Sequence, residues 1–210
     1  VIISVQAIGD VVINEIATTH VPRNLRWDEN EQAYPGSGPA WWSASFDDSR
    51  WLSGNLPMGH SLGSIATDLG SELRGISPSF YIRKNFEVST SEAASSAPMV
   101  LRINYNDGFI AWINGVEVAR GNMGAVKAHI YHDQLSYRVS TLGTNTESIT
   151  LPIASELLNQ GKNVIAVQVN NLTLTGNMRL EMSLRIDDPS GIDPQLFASG
   201  GSVTYLPGLR

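Results

Sequence analysis

Residues 178–186, Met-Arg-Leu-Glu-Met-Ser-Leu-Arg-Ile, alternate without interruption between apolar and polar side chains. A two-residue period belongs to a strand with one face in a core and the other in water, whereas a helix would scatter these residues around its axis. A one-residue slip would expose Met178, Leu180, Met182, Leu184 and Ile186 together, so the pairing of this strand is strongly specified. Residues 163–169 place Ile165, Val167 and Val169 on one face and Val164 and Ala166 on the other. That pattern predicts a central strand covered on both sides.

The same reasoning extends along the chain. Strands are predicted over 80–88 after the breaker Pro78, and over 99–105, 109–113 and 116–119. Asn106-Asp107-Gly108 and Asn114-Gly115 are turn signals between them, the second suited to the positive φ angles of a type I′ hairpin, so 99–120 reads as a β-meander. Val11 to Ile16 reads as a strand, 22–39 as a long polar loop, and 89–98 as a Ser/Ala-rich loop. Helix is scarce, and 153–158 reads as one or two turns, with Pro152 at its opening and Gly161 beyond its end. Residues 187–210, with Asp-Asp-Pro-Ser-Gly and Gly200-Gly201, have the composition of a linker. Short strands without alternating helices imply an all-β fold, an antiparallel β-sandwich of the jelly-roll type. The expected organisation is an N-terminal strand and long loop packing on the sandwich (1–41), the sandwich itself (42–186), and a C-terminal linker or tail (187–210).

Composition removes whole classes of function. The 210 residues contain no cysteine, which excludes disulfide scaffolds, zinc ribbons and thiol nucleophiles. With 14 basic against 20 acidic residues and a net charge of -6, the chain lacks the basic face that a phosphate-backbone binder requires, so nucleic acid is not an expected partner. The longest apolar run falls well short of the roughly 18 residues of a membrane helix, and no membrane span is expected. Frequent Gly (19) and Pro (10) with few charges suit a turn-rich secreted β-protein. The opening Val1 to Ala7 has three readings: the end of a secretory signal, a first strand, or a strand donated to a neighbouring sheet edge.

Four segments, taken in order, resemble the galactose-binding-like jelly-roll modules of secreted bacterial enzymes and surface proteins, which are related in fold to carbohydrate-binding modules. Trp42, then Phe46-Asp47-Asp48-Ser49-Arg50-Trp51, then Leu56-Pro57-Met58-Gly59 is similar to their entry motif. Tyr81-Ile82-Arg83-Lys84-Asn85-Phe86-Glu87-Val88 resembles their Y-x-R-K-x-F-x-V strand. Asn106 to Val118 resembles their D-D-G strand with its asparagine–glycine hairpin, and Gly161 to Val169 their closing G-x-N-x-I-A-V strand. The likeness covers about 42–186 and departs from the pattern at Asn106, Trp112, Asn170-Asn171 and Gly176-Asn177. It implies an extracellular, non-catalytic module that binds carbohydrate or mediates attachment.

Sugar binding in water stacks pyranose C–H faces on aromatic planes while amides, carboxylates and guanidinium groups read the hydroxyls. Trp41, Trp42 and Trp112 are the candidate platform, each weighed against core packing, and Asn106, Asp107 and Tyr131 complete the candidate ligand set. Trp112 shares its strand face with Ile110, opposite Phe109, Ala111 and Ile113, so which face is core stays open. No cofactor is required. A structural Ca²⁺ held by Asp107 in the 106–108 turn is the one ion considered, with a metal-free Asp-Gly turn as the alternative. Asp47 and Asp48, adjacent on an extended segment, point apart and cannot easily share an ion. Trp51 reads as a core anchor reaching a carboxylate, Arg83 as a sheet-face ion pair, and Asn114-Gly115 as turn chemistry. His129 and His132 form a weak transition-metal candidate without a third ligand. No phosphate loop or nucleophile elbow is present. The expected function is a non-enzymatic extracellular carbohydrate-binding or attachment module whose partners are a polysaccharide or neighbouring domains. The alternative is a self-assembling surface subunit that pairs a terminal strand with its neighbour.

Overall fold

The computed structural model describes residues 40–128, 130–140 and 146–208. Along the chain run β1 (Leu52–Asn55), β2 (Met58–His60), β3 (Thr67–Asp68), α1 (Gly70–Leu73), β4 (Ser79–Val88), α2 (Thr90–Ala93), β5 (Pro98–Asn106), β6 (Gly108–Ile113) and β7 (Val116–Gly121). They are followed by β8 (Glu147–Ile153), α3 (Ala154–Leu157), β9 (Gly161–Asn170), β10 (Met178–Ile186), β11 (Gln195–Phe197) and β12 (Ser202–Leu206). Two sheets face each other, one in the order β1-β12-β4-β9-β6-β7 and the other β3-β2-β10-β5-β8, with β11 added to β10. All pairings are antiparallel except β2 with β3. This is the β-sandwich that the alternating strands predict.

The core between the sheets is filled by the expected parities. Met178, Leu180, Met182, Leu184 and Ile186 of β10 and Met99, Leu101 and Ile103 of β5 meet Phe80 and Ile82 of β4, Phe109, Ala111 and Ile113 of β6, and Ile165, Val167 and Val169 of β9. Each large side chain buried there contributes about 1.5–3 kcal/mol. β9 is also buried on its second face, as its two-sided apolar pattern requires. A smaller cluster of Trp41, Tyr81, Ile110, Trp112, Met123, Ile130 and Ala166 lies on the outer face of the first sheet. Both faces of β6 are therefore core, and the open parity question resolves with Phe109 between the sheets and Trp112 beneath an outer layer.

Three expectations are corrected. The linker assigned to 187–210 instead carries β11 and β12, and β12 pairs with both β1 and β4, so the sandwich runs past 186 to at least Leu206. Val203 and Tyr205 alternate inward there, a pattern too short to stand out beside glycine-rich turns. The meander over 99–120 is only the β6–β7 hairpin, because β5 belongs to the other sheet and the Asn106–Gly108 turn crosses the sandwich. The short helix expected near 153–158 is present as the single turn α3, but Pro152 lies in β8 instead of at its start. The readings of Val1 to Ala7, Val11 to Ile16, the 22–39 loop and His129 lie outside the described residues.

Several motif residues act as fasteners. Arg83, 2% exposed, donates from Nε to Asp48 at 2.9 Å and from its terminal nitrogens to the carbonyls of Trp41, Ser43 (2.9 Å) and Phe46 (3.4 Å). One guanidinium thus pins the entry segment 41–48 onto the outer face of β4, in the manner that suits its planar fork of donors. Burial lowers the Arg83 pKa, against the raising effect of Asp48. Asp47, by contrast, accepts from the Ser49 amide at 3.0 Å, so the two adjacent acids serve different groups. At the other end of the sheet Asn114, in the left-handed region at φ 50°, donates from Nδ2 to Asn163 Oδ1 at 2.7 Å and accepts from Val164 N at 3.0 Å. The asparagine–glycine hairpin and the G-x-N segment are two halves of one hydrogen-bonded unit.

Candidate functional site

The entry segment held by Arg83 carries Trp41 and Trp42, and these meet Trp112 of β6. Trp42 stacks on Trp112 with ring centroids 5.3 Å apart and planes 18° from parallel. Trp41 stands edge-on to both, at 5.7 Å from Trp42 and 5.2 Å from Trp112. Such pairs add about 0.5–1.5 kcal/mol each beyond burial. Trp41 is fully buried, Trp112 is 5% exposed, and Trp42 is half-buried at the outside of the stack. Trp41 is accordingly corrected from platform to foundation: the loop that presents Trp42 must be anchored, and the preceding residue is the anchor. Trp51 packs on Phe46 and Trp41 in the same layer.

Beside this stack lies a cleft of about 370 Å³ lined by Trp42, Trp112, Gly115, Val116, Glu117, Arg120, Lys127 and Ala128. Glu117 and Arg120 form a two-pronged ion pair, Nε to Oε1 at 2.9 Å and Nη2 to Oε2 at 3.0 Å, with side chains 9% and 4% exposed. Arg120 also donates to the carbonyls of Met123 (2.8 Å) and Ala128 (3.2 Å), and the Lys127 amide donates to Glu117 Oε2 at 3.2 Å. The pair therefore holds the 123–128 loop over the end of the β6–β7 hairpin. The cleft combines an aromatic wall, a fixed carboxylate–guanidinium pair, and the exposed Lys127.

Sequence reasoning did not reach Glu117, Arg120 or Lys127. On a regular strand, residues three apart point to opposite faces. Here Arg120 pairs with Ile110 and Glu117 with Trp112, with an irregularity in the register that leaves Val118 without a partner. This bulge returns both charges to the face shared by Ile110 and Trp112.

The remaining expected ligand residues are not at the cleft. Asn106 and Asp107 stand at the other end of β6, about 16 Å from Trp112 by strand rise. Asp107, 6% exposed, accepts from the amides of Ser140 (3.0 Å) and Leu172 (3.1 Å), and its carbonyl accepts from Asn122 Nδ2 at 2.8 Å. In this structure the carboxylate ties loops together through backbone amides, partners that no sequence spacing reveals. Among the described residues no group of three or more His, Asp or Glu converges on a metal position. Tyr131, half-buried, belongs to a segment crossing the ends of β4 and β9, where Ser79 donates to the His132 carbonyl at 2.5 Å and Asn170 to that of Gln134 at 2.7 Å. Among the described residues no helix is long and apolar enough to cross a membrane.

No protein-family model and no curated protein matches the chain. Solved structures that resemble it are parts of glycoside hydrolases. A Bacteroides uniformis β-glucuronidase shares 16% identity over 81% of this chain and 16% of its own, with a TM-score of 0.41. A native α-L-rhamnosidase from Aspergillus terreus shares 15% over 82% of this chain and 20% of its own, at 0.38. A glycosyl hydrolase family 2 member from Bacteroides cellulosilyticus shares 14% over 80% of this chain and 28% of its own, at 0.38. The chain thus spans a sixth to about a quarter of these enzymes. Likeness of this degree decides no activity, and the sandwich is established by its own strand order and core.

Proposed function

We propose that this chain is a non-catalytic carbohydrate-binding module of an extracellular protein, with the Trp42–Trp112 cleft as its glycan site. The observation that carries the reading is the meeting, in one open cleft, of a half-buried indole at the edge of an aromatic stack with an immobilised carboxylate–guanidinium pair. Apolar sugar faces pack on aromatic rings, and fixed polar groups discriminate hydroxyl orientations. The non-catalytic part rests on the acid inventory of the cleft. Glycoside hydrolysis takes two carboxyl groups roughly 5–10 Å apart, whereas among the described residues Glu117 is the one acid lining this cleft and is already bonded to Arg120 and to the Lys127 amide.

The test is titration calorimetry of the chain against neutral and acidic oligosaccharides, with indole emission followed in parallel. Binding to at least one glycan, weakened roughly tenfold or about 1.4 kcal/mol by Trp42→Ala, is the expected result. No heat and no emission change with any glycan would reject the reading.

A further inference from the structure

The charges of the cleft carry the proposed site further, to the class of glycan it takes; the step rests on the carbohydrate reading above. Among the described residues, three charged ones line the cleft: Glu117, Arg120 and Lys127. Glu117 and Arg120 neutralise each other through two short contacts at 2.9 and 3.0 Å, and both side chains are less than a tenth exposed. Two further donors of Arg120 go to the carbonyls of Met123 and Ala128. Among the described residues, Lys127 is left as one uncompensated positive charge on the lining of a cleft in a chain whose net charge is -6.

The loop places that ammonium by construction. Lys127 occupies the left-handed region at φ 60°, which is uncommon for a side-chain-bearing residue and is held here by the bond from its amide to Glu117. The turn closes with Ala128 N donating to Ala125 O at 3.0 Å. Arg120, by gripping Ala128, fixes the residue next to Lys127. A neutral sugar lying on Trp42 would leave this charge without a counterpart, whereas a sugar carrying a carboxylate supplies one.

We infer that the cleft selects an anionic glycan, a uronic acid residue whose ring packs against Trp42 and whose carboxylate accepts from the Lys127 ammonium. A charge-assisted hydrogen bond of this kind is about twice as strong as a neutral one. The recognition is also salt-dependent, because Lys127 is exposed.

The experiment uses the whole chain and matched probes: tetramers of galacturonate and of glucuronate, and the same tetramers after carboxyl reduction, titrated by calorimetry at low and high salt. The expected result is that one acidic tetramer binds about five- to tenfold tighter than its reduced form, that Lys127→Met removes this difference, and that raising the salt narrows it. Lys127 is exposed, so the variant keeps the fold, which circular dichroism checks. Equal affinity for acidic and reduced tetramers, or an unchanged preference in Lys127→Met, overturns the inference while the carbohydrate reading stands. Binding confined to neutral glycans overturns it in the same way. No binding by any glycan overturns both.

Discussion

Glu117 and Arg120, three residues apart on one strand, grip each other on a single face of the sheet at 2.9 Å. Strand geometry alone would place them on opposite faces. The bulge at Val118 reverses the parity between them, so a hairpin that reads as ordinary alternation delivers an ion pair to the rim of an aromatic stack. Bulges commonly re-aim a side chain in this way, and here the re-aimed pair also organises the 123–128 loop.

Removing the acid isolates a guanidinium that is 4% exposed. Glu117→Ala should lower unfolding stability by about 3 kcal/mol, since breaking a buried pair leaves an uncompensated charge. Glu117→Gln, which keeps one acceptor, should lose less. Urea denaturation followed by indole emission measures both, and equal stability of Glu117→Ala and the parent would contradict the role given to the pair.

Asn163, 1% exposed, donates to the carbonyls of Asn159 (2.7 Å) and Gly161 (2.9 Å) and accepts from Asn114 Nδ2 and Asn159 N. Asn163→Asp replaces the amide donor with an oxygen facing two carbonyls, at a cost of about 2–4 kcal/mol at neutral pH. The introduced acid gains by protonation, so its folded-state pKa rises above the unfolded value of about 3.9. Sign follows from linkage: the variant comes closest to the parent below about pH 4 and falls away as pH rises through the folded-state value. Paired urea melts at several pH values test this, and a pH-independent difference would refute it.

Gly59 adopts φ 144°, and a Cβ there would lie 2.1 Å from the Met178 carbonyl oxygen. Gly59→Ala combines a forbidden backbone region with collision against the neighbouring strand β10. A loss of at least about 3 kcal/mol, or failure to fold, is expected. A thermal midpoint within a few degrees of the parent would show that β2 can shift without cost.

His60 is 2% exposed, and among the described residues its Nε2 has no hydrogen-bond partner. Burial lowers its pKa, with Arg74 adding to the effect and Asp68 opposing it. A histidine whose folded-state pKa is depressed contributes stability that is fully present above its unfolded value of about 6.5. That contribution is lost as pH falls through the folded-state value. The stability gap between the parent and His60→Leu should therefore shift in favour of the variant between pH 7 and pH 5. Parallel pH profiles for the two proteins would remove His60 from the account.

Legibility in the sequence followed the range of the interaction. Met178 to Ile186 was readable because its two-residue period is a local property imposed by one buried face, and the structure pairs that stretch in full. Asn114-Gly115 was readable because a positive φ selects those residue types. β12 was missed because its inward residues Val203 and Tyr205 are too few to make a period, and its place depends on the distant strands β1 and β4. Trp41, Trp42 and Trp112 were singled out by type. Their division into foundation and rim depends on Arg83, which reaches 42 residues back to the Trp41 carbonyl.

From the chain alone came the class of fold, the strands with clear alternation, the hairpin, and the absence of thiol chemistry, because each rests on residue type or on spacing within one segment. Tertiary structure decided which aromatic ring reaches the surface, that Asp107 holds loops by backbone amides, and that Glu117, Arg120 and Lys127 share a cleft with Trp42. Those outcomes depend on strand order and on one bulge, and neither leaves a trace in local periodicity, because both are set by which distant backbone groups pair.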